Sequence, residues 1–278
     1  MSMVLWPVAS ALFVWWFATG LIVVLDHLPQ ASFRWSMLGA TLLAGYGFHV
    51  LASVGADTTV HGAYVGFLCA IAIWAWQEMS FLMGFITGPS RRPCPLGVRG
   101  FARFMHGVSV VIYHEAAIVA GGVAIWAISL GDANRTALWT YLILWGMRVS
   151  AKLNLFAGVR NVSERFLPPH LAYLGGFFHQ RPMNALMPIS ISLGSVLGVI
   201  LVQRAGSPDA GAYLTTQYVL LATMVILGVI EHWFLVVPVP FEELWSWYLR
   251  ARSKAPPLPM IAASDPVSAG PSPQLNAS

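Results

Sequence analysis

Three short polar sequences interrupt long apolar stretches: Trp76-Gln77-Glu78, Tyr113-His114-Glu115 and Glu231-His232-Trp233. Glutamate and histidine carry protons and ligate metals. In hydrocarbon they are costly, and they usually line a bundle interior, an ion path or a cofactor site. A fourth stretch, Leu144 to Asn161, adds Arg148, Lys152 and Asn154. Glu78, Glu115 and Glu231 bring three negative charges, Arg148 and Lys152 two positive ones, and a protonated histidine would complete neutrality. Isolated charges in apolar surroundings would neutralise by proton transfer, so pairing is expected. Arg148 and Lys152 are four residues apart, hence on one helix face, and would neutralise Glu78 and Glu115.

Four chemistries suit this cluster. One is an ion-pair network that fixes helix registry. Another is an axial-ligand site for a chlorin or haem at His114 or His232. His114 shares a face with Gly107 and Gly121, seven residues either way, which would leave room for a flat macrocycle. The third is a metal site from Glu78, Glu115 or His114, and Glu231 or His232, although the helical E-x-x-H pair of di-iron bundles is absent. The fourth is a proton or substrate path. Adjacent helical residues point about 100° apart, so His114 and Glu115 are not expected to enter one site together, nor Glu231 and His232. Walker A, G-x-G-x-x-G, G-x-S-x-G and H-E-x-x-H motifs are missing, and Cys69 and Cys94 are too far apart to suggest a zinc or redox pair.

The elements that hold these residues read as membrane helices. Of 278 residues, 57% are hydrophobic and 9% charged, with mean hydropathy +0.69. Soluble domains carry about 25% charge. A span needs about 20 mostly apolar residues. Seven segments qualify, near 4–25, 35–55, 61–87, 105–130, 137–158, 183–203 and 212–237. With the N-terminus outside, only Arg135 and Arg204 of the fifteen Lys and Arg residues fall on outer loops. That positive-inside bias predicts an N-out/C-in chain. It also accounts for the net charge of +4 without invoking nucleic acid. Met1 to Trp6 holds no Lys or Arg, and the N-terminus reads as an uncleaved first span. With this topology the charged residues sit in the cytoplasmic half, Glu78, His114 and Arg148 each roughly 13 Å from a helix end.

The expected organisation is a polytopic all-α bundle over 1–240, an interfacial amphipathic helix over 241–253 and a disordered tail over 254–278. Between the spans, the cytoplasmic loops are rich in Pro, Gly and Arg. Arg160, Asn161, Arg165 and Arg181 read either as positive-inside charge with turn chemistry or as a docking surface for a partner or for acidic cofactor groups.

Several long motifs, in order, carry a family resemblance. They are Trp76-Gln77-Glu78-Met79-Ser80-Phe81-Leu82 with Gly84-Phe85 and Thr87-Gly88-Pro89, then His114-Glu115, Trp145 to Asn161 and Phe166 to Leu171. Arg181-Pro182-Met183-Asn184 and Glu231-His232-Trp233-Phe234 complete the set. From about Ala11 to Trp247 the chain resembles the PuhE family of photosynthetic complex assembly proteins. The resemblance implies a multi-pass protein of the inner (intracytoplasmic) membrane of purple phototrophic bacteria. It would act in assembly of the reaction centre and core antenna and in bacteriochlorophyll supply. Its partners would be lipid, reaction-centre or antenna subunits and pigment-synthesis proteins. Joined to the polar cluster, it gives two expectations. One is an assembly factor that hands over bacteriochlorophyll or a related tetrapyrrole, with His114 or His232 as magnesium ligand, or that docks nascent subunits. The alternative is a metal-dependent membrane enzyme of bacteriochlorophyll synthesis that uses the Glu/His cluster. A transporter or proton channel ranks third, because the polar groups occupy one depth only.

Overall fold

Apolar runs punctuated by glycine, proline and Asx turns set the helix limits. The computed structural model describes residues 2–162 and 167–237. The expected interfacial helix, the tail and Arg165 lie outside the described residues. Among the described residues the chain is helical with no named strand, and eight α-helices follow one another: α1 (Ser2–Asp26), α2 (Phe33–Ser53), α3 (Val60–Leu82), α4 (Gly100–Ser109), α5 (Ile112–Ile128), α6 (Thr136–Ala157), α7 (Leu186–Ala205) and α8 (Ala212–Phe234). A 3-10 segment, Pro169–Phe177, packs through Leu171, Leu174 and Phe177 against Phe81 of α3 and Val110 between α4 and α5. Four helices, α1, α3, α7 and α8, are long and apolar enough to cross a membrane, and the bent pair α4–α5 would make a fifth span. Helices α2 and α6, with 21 and 22 residues, do not reach the same apolarity.

Two span limits differ from the sequence expectation. The third stops at Leu82, not at residue 87. Gly84 takes a left-handed turn at φ 77°, and the Phe85 and Ile86 amides both return to the Ser80 carbonyl at 2.9 and 3.0 Å. The fourth is not one continuous helix, since α4 and α5 meet at 65°. The run Val108 to Ile112 is mostly β-branched and forms helix poorly. The returning loop then wedges against the break. A Cβ on Gly88 would stand 2.2 Å from the Ser109 carbonyl oxygen. The Ser90 amide donates to that oxygen at 3.2 Å, and the His114 amide donates to the Thr87 carbonyl at 3.0 Å. Backbone groups freed by the break are thereby satisfied.

Helix α3 is the hub, packing on α1, α2, α5, α6 and α8. Helices α1 and α7 lie at the rim and present Leu5, Trp6, Phe13, Leu193 and Val199 outward. Close approach depends on small residues. A Cβ on Gly194 of α7 would lie 2.7 Å from Val229 of α8, and one on Gly66 of α3 would lie 3.2 Å from Thr136 of α6. Met37, Met79 and Met83 fill a core with Phe33, as packing residues.

The central core holds Ile73, Ile118, Ile125 and Tyr141. The Tyr141 hydroxyl donates to the Ile118 carbonyl at 2.9 Å, and Gln77 Nε2 donates to the Ala117 carbonyl at 3.1 Å. Both side chains cross the open face of Gly121, where a Cβ would lie 2.6 Å from the Tyr141 hydroxyl and 2.8 Å from Gln77 Nε2. Gly121→Val should therefore cost about 1–3 kcal/mol by overpacking. Thermal unfolding of the purified protein in detergent checks this, and an unchanged midpoint would refute the packing described.

At the opposite end from the charged cluster, Asn134 clasps three elements. Its Nδ2 donates to the carbonyls of Gly62 at 2.8 Å, Asp57 at 3.1 Å and Val54 at 3.4 Å. Its Oδ1 accepts from the Thr136 amide at 3.1 Å and the Tyr213 hydroxyl at 3.0 Å.

Candidate functional site

The first turns of α5 and the last turns of α1, α3, α6 and α8 share one end of the bundle. Helix α6 carries the two cations that organise it. Arg148 Nη2 donates to Glu78 Oε2 of α3 at 2.6 Å, and Lys152 Nζ donates to Glu115 Oε1 of α5 at 2.6 Å. One face of α6 thus ties two neighbouring helices, the pairing that charge balance favours. Lys152 also lies 5.6 Å above the Phe81 ring. Glu231 of α8 pairs with neither cation. It accepts from Trp15 Nε1 of α1 at 3.0 Å.

Between α1, α3, α6 and α8 a cleft of about 260 Å³ opens, lined by Glu78, Arg148 and Glu231 among apolar side chains that include Trp15 and Trp74. Two polar atoms of this group are buried without a hydrogen-bond partner among the described residues, Glu78 Oε1 and Arg148 Nε. With both carboxylates ionised, the lining carries one negative charge in excess of its single guanidinium.

The remaining cluster members go elsewhere. Asn154 is fully buried, but it joins α6 to α7. Its Nδ2 donates to the Ser150 carbonyl at 3.0 Å and to Ser190 Oγ at 2.9 Å. Asn184 completes that knot, donating to the Asn154 and Gly158 carbonyls and capping the α7 amides of Leu186 and Met187. His232 is spent within the protein, with Nδ1 on the Gly228 carbonyl at 2.7 Å and Nε2 on Ser150 Oγ at 2.9 Å.

His114 is different. It is fully buried against Phe81, with ring centroids 4.5 Å apart, and neither ring nitrogen has a hydrogen-bond partner among the described residues. The free nitrogens fit an axial ligand, but the surroundings do not fit a macrocycle. Tyr141 and Gln77 fill the face of Gly121, and Gly107 lies beyond the α4–α5 break with Phe156 3.3 Å from where its Cβ would be. The expected flat space is therefore closed, and the residues present do not hold a tetrapyrrole at His114. The metal alternative fares no better: among the described residues no three of His, Cys, Asp and Glu gather closely enough to hold an ion. Ion pairing draws Glu78 and Glu115 to different turns of α6, and Glu231 turns to Trp15.

The loop residues also divide. Asn161, expected to meet a partner, instead staples the end of α8, donating from Nδ2 to the carbonyls of Phe234 at 2.7 Å and Val237 at 2.5 Å. Arg160 and Arg181 remain exposed and flank a parallel bridge between Val159 and Gln180. Arg103, which the sequence reading counts only among the cytoplasmic basic residues, is buried. It stacks over Phe156 at 4.2 Å and donates to the Phe156 and Phe177 carbonyls. Nearby His179 titrates below the ordinary histidine value, chiefly by desolvation and then by the Arg103 and Arg181 cations. A lone arginine in a basic loop gives no sequence signal that separates Arg103 from its solvated neighbours.

Comparison with known proteins gives one family and one relative. The family described as "Protein of unknown function (DUF3623)" matches residues 1–256. A Rhodobacter capsulatus protein described as "Uncharacterized 30.4 kDa protein in puhA 5'region" is 36% identical over 250 residues, covering 88% of this chain and 90% of that protein. No solved structure matches the chain.

Proposed function

This chain belongs to the DUF3623 family, and we propose that it is a membrane assembly factor for the photosynthetic reaction centre and its core antenna. The observation that carries this reading is its 36% identity, over 88% of this chain and 90% of the other, to a protein described as lying in the puhA 5' region. The PuhE-like motifs point the same way. In this reading the chain is a seven-span, N-out/C-in protein of the intracytoplasmic membrane, and the seven spans include α2, α6 and the bent α4–α5 pair. The charge bias of the loops supports that orientation.

The geometry favours docking of nascent subunits over pigment ligation, because His114 is enclosed and His232 is hydrogen-bonded at both nitrogens. Arg160 and Arg181 are the exposed donors for an acidic partner surface. Deleting the gene in its own phototrophic host should lower the near-infrared bands of the reaction centre and core antenna at least twofold, with recovery when the gene is restored. Unchanged bands in the deletion strain would refute the assembly role.

A further inference from the structure

The cleft between α1, α3, α6 and α8 holds an imbalance that the fold itself does not resolve. Among the described residues, its charged lining consists of Glu78, Arg148 and Glu231. Arg148 answers one carboxylate, at 2.6 Å from Glu78. Glu231 has the Trp15 indole N–H at 3.0 Å, a neutral donor. Glu78 is nine-tenths buried, and its Oε1 accepts no hydrogen bond among the described residues. A net negative charge among apolar walls is expensive unless a cation joins it. The vacant carboxylate acceptor calls for a cation with N–H donors, not a bare charge. The walls add the second half of the specification. Trp15, Ile22, Trp74 and Leu227 give an apolar surface beside the charged floor, which suits an alkyl chain attached to the cation. The volume of about 260 Å³ admits a head group with the first part of such a chain.

We propose that this cleft is a binding site for a primary alkylammonium, with the ammonium hydrogen-bonded to Glu78 and Glu231 and the alkyl chain lying against Trp15 and Trp74. Arg148 keeps its pair with Glu78 and orients that carboxylate. No bond is made or broken. The competing occupant is a proton on Glu231, which would neutralise the cleft without any ligand.

The test uses the full chain in lipid nanodiscs, titrated with radiolabelled decylammonium in equilibrium dialysis, with empty nanodiscs as the partition control. The expected result is saturable binding of one decylammonium per chain. Decyltrimethylammonium, which has the same charge and tail but no N–H, should bind at least tenfold more weakly. Glu231→Gln should also weaken decylammonium binding at least tenfold. That variant retains an acceptor for Trp15 and disturbs no ion pair, so the fold is kept. Glu78→Gln should weaken binding too, but it also removes the Arg148 partner, and Glu231→Gln decides the question where that variant fails to fold. Equal uptake of the two amines, or uptake unaffected by Glu231→Gln, would overturn the assignment and leave a proton as the occupant. Amine titration and reaction-centre content read different properties, so failure of this site and failure of the assembly role are separable.

Discussion

Arg148→Ala is expected to destabilise the protein by about 1–3 kcal/mol, below the range for removing one partner of a fully buried ion pair because the Arg148 side chain is 39% exposed. The size of the effect comes from what remains. Glu78 loses the one charged partner it has among the described residues, held at 2.6 Å, and the described lining of the cleft is left with two carboxylates and no cation. Helix α3, the hub of the bundle, also loses a polar tie to α6. Lys152 does not take over, because it is already bound to Glu115 at 2.6 Å. Unfolding of the variant in detergent, followed by circular dichroism, measures the loss. Replacing both partners with apolar residues of similar size, Glu78→Leu with Arg148→Met, should recover most of it, since neither charge is then stranded.

Asn134→Ala should cost at least as much, at about 2–4 kcal/mol, because an unsatisfied buried group costs about 1–3 kcal/mol and this change strands several. The residue is nearly fully buried, at 3% exposure. It serves three carbonyls in and beside the α2–α3 loop, one amide of α6 and one hydroxyl of α8. Aspartate should not rescue the variant, since it lacks the Nδ2 donor that reaches the Val54, Asp57 and Gly62 carbonyls. Hydrogen exchange over residues 54–66 should quicken in Asn134→Ala while exchange around Glu78 stays slow. Uniform acceleration along the chain would contradict a local clasp.

The ion pairs were legible because charges in apolar sequence must balance, and because Arg148 and Lys152 sit one turn apart. Which carboxylate each takes was not legible, since it depends on the order of α3, α5 and α6 around the bundle. The helix face expected to seat a macrocycle is interrupted for a related reason. Gly107, His114 and Gly121 share a face only along an unbroken helix, and the 65° break takes Gly107 away. That break has no proline or glycine to mark it in the sequence Ser109-Val110-Val111. It is fixed by the loop at Gly88 and Ser90, which is remote from it in sequence. Amides misled most. Asn154 is buried, as its place in the polar cluster implies, but its side chain joins α6 to α7, and Asn161 staples the end of α8, whereas Asn134 lay in a short polar turn, Gly131-Asp132-Ala133-Asn134, that resembles any solvated loop.

The central structural claim is that Arg148 reaches across from α6 to Glu78 on α3 and holds the floor of the cleft. A double-mutant cycle with Glu78→Gln and Arg148→Gln tests it most directly, read as unfolding free energy in detergent. A direct pair at 2.6 Å predicts that the double variant is less destabilised than the two single changes combined, with a coupling of about 1–3 kcal/mol. Single effects that simply add, within about 0.5 kcal/mol, would contradict it.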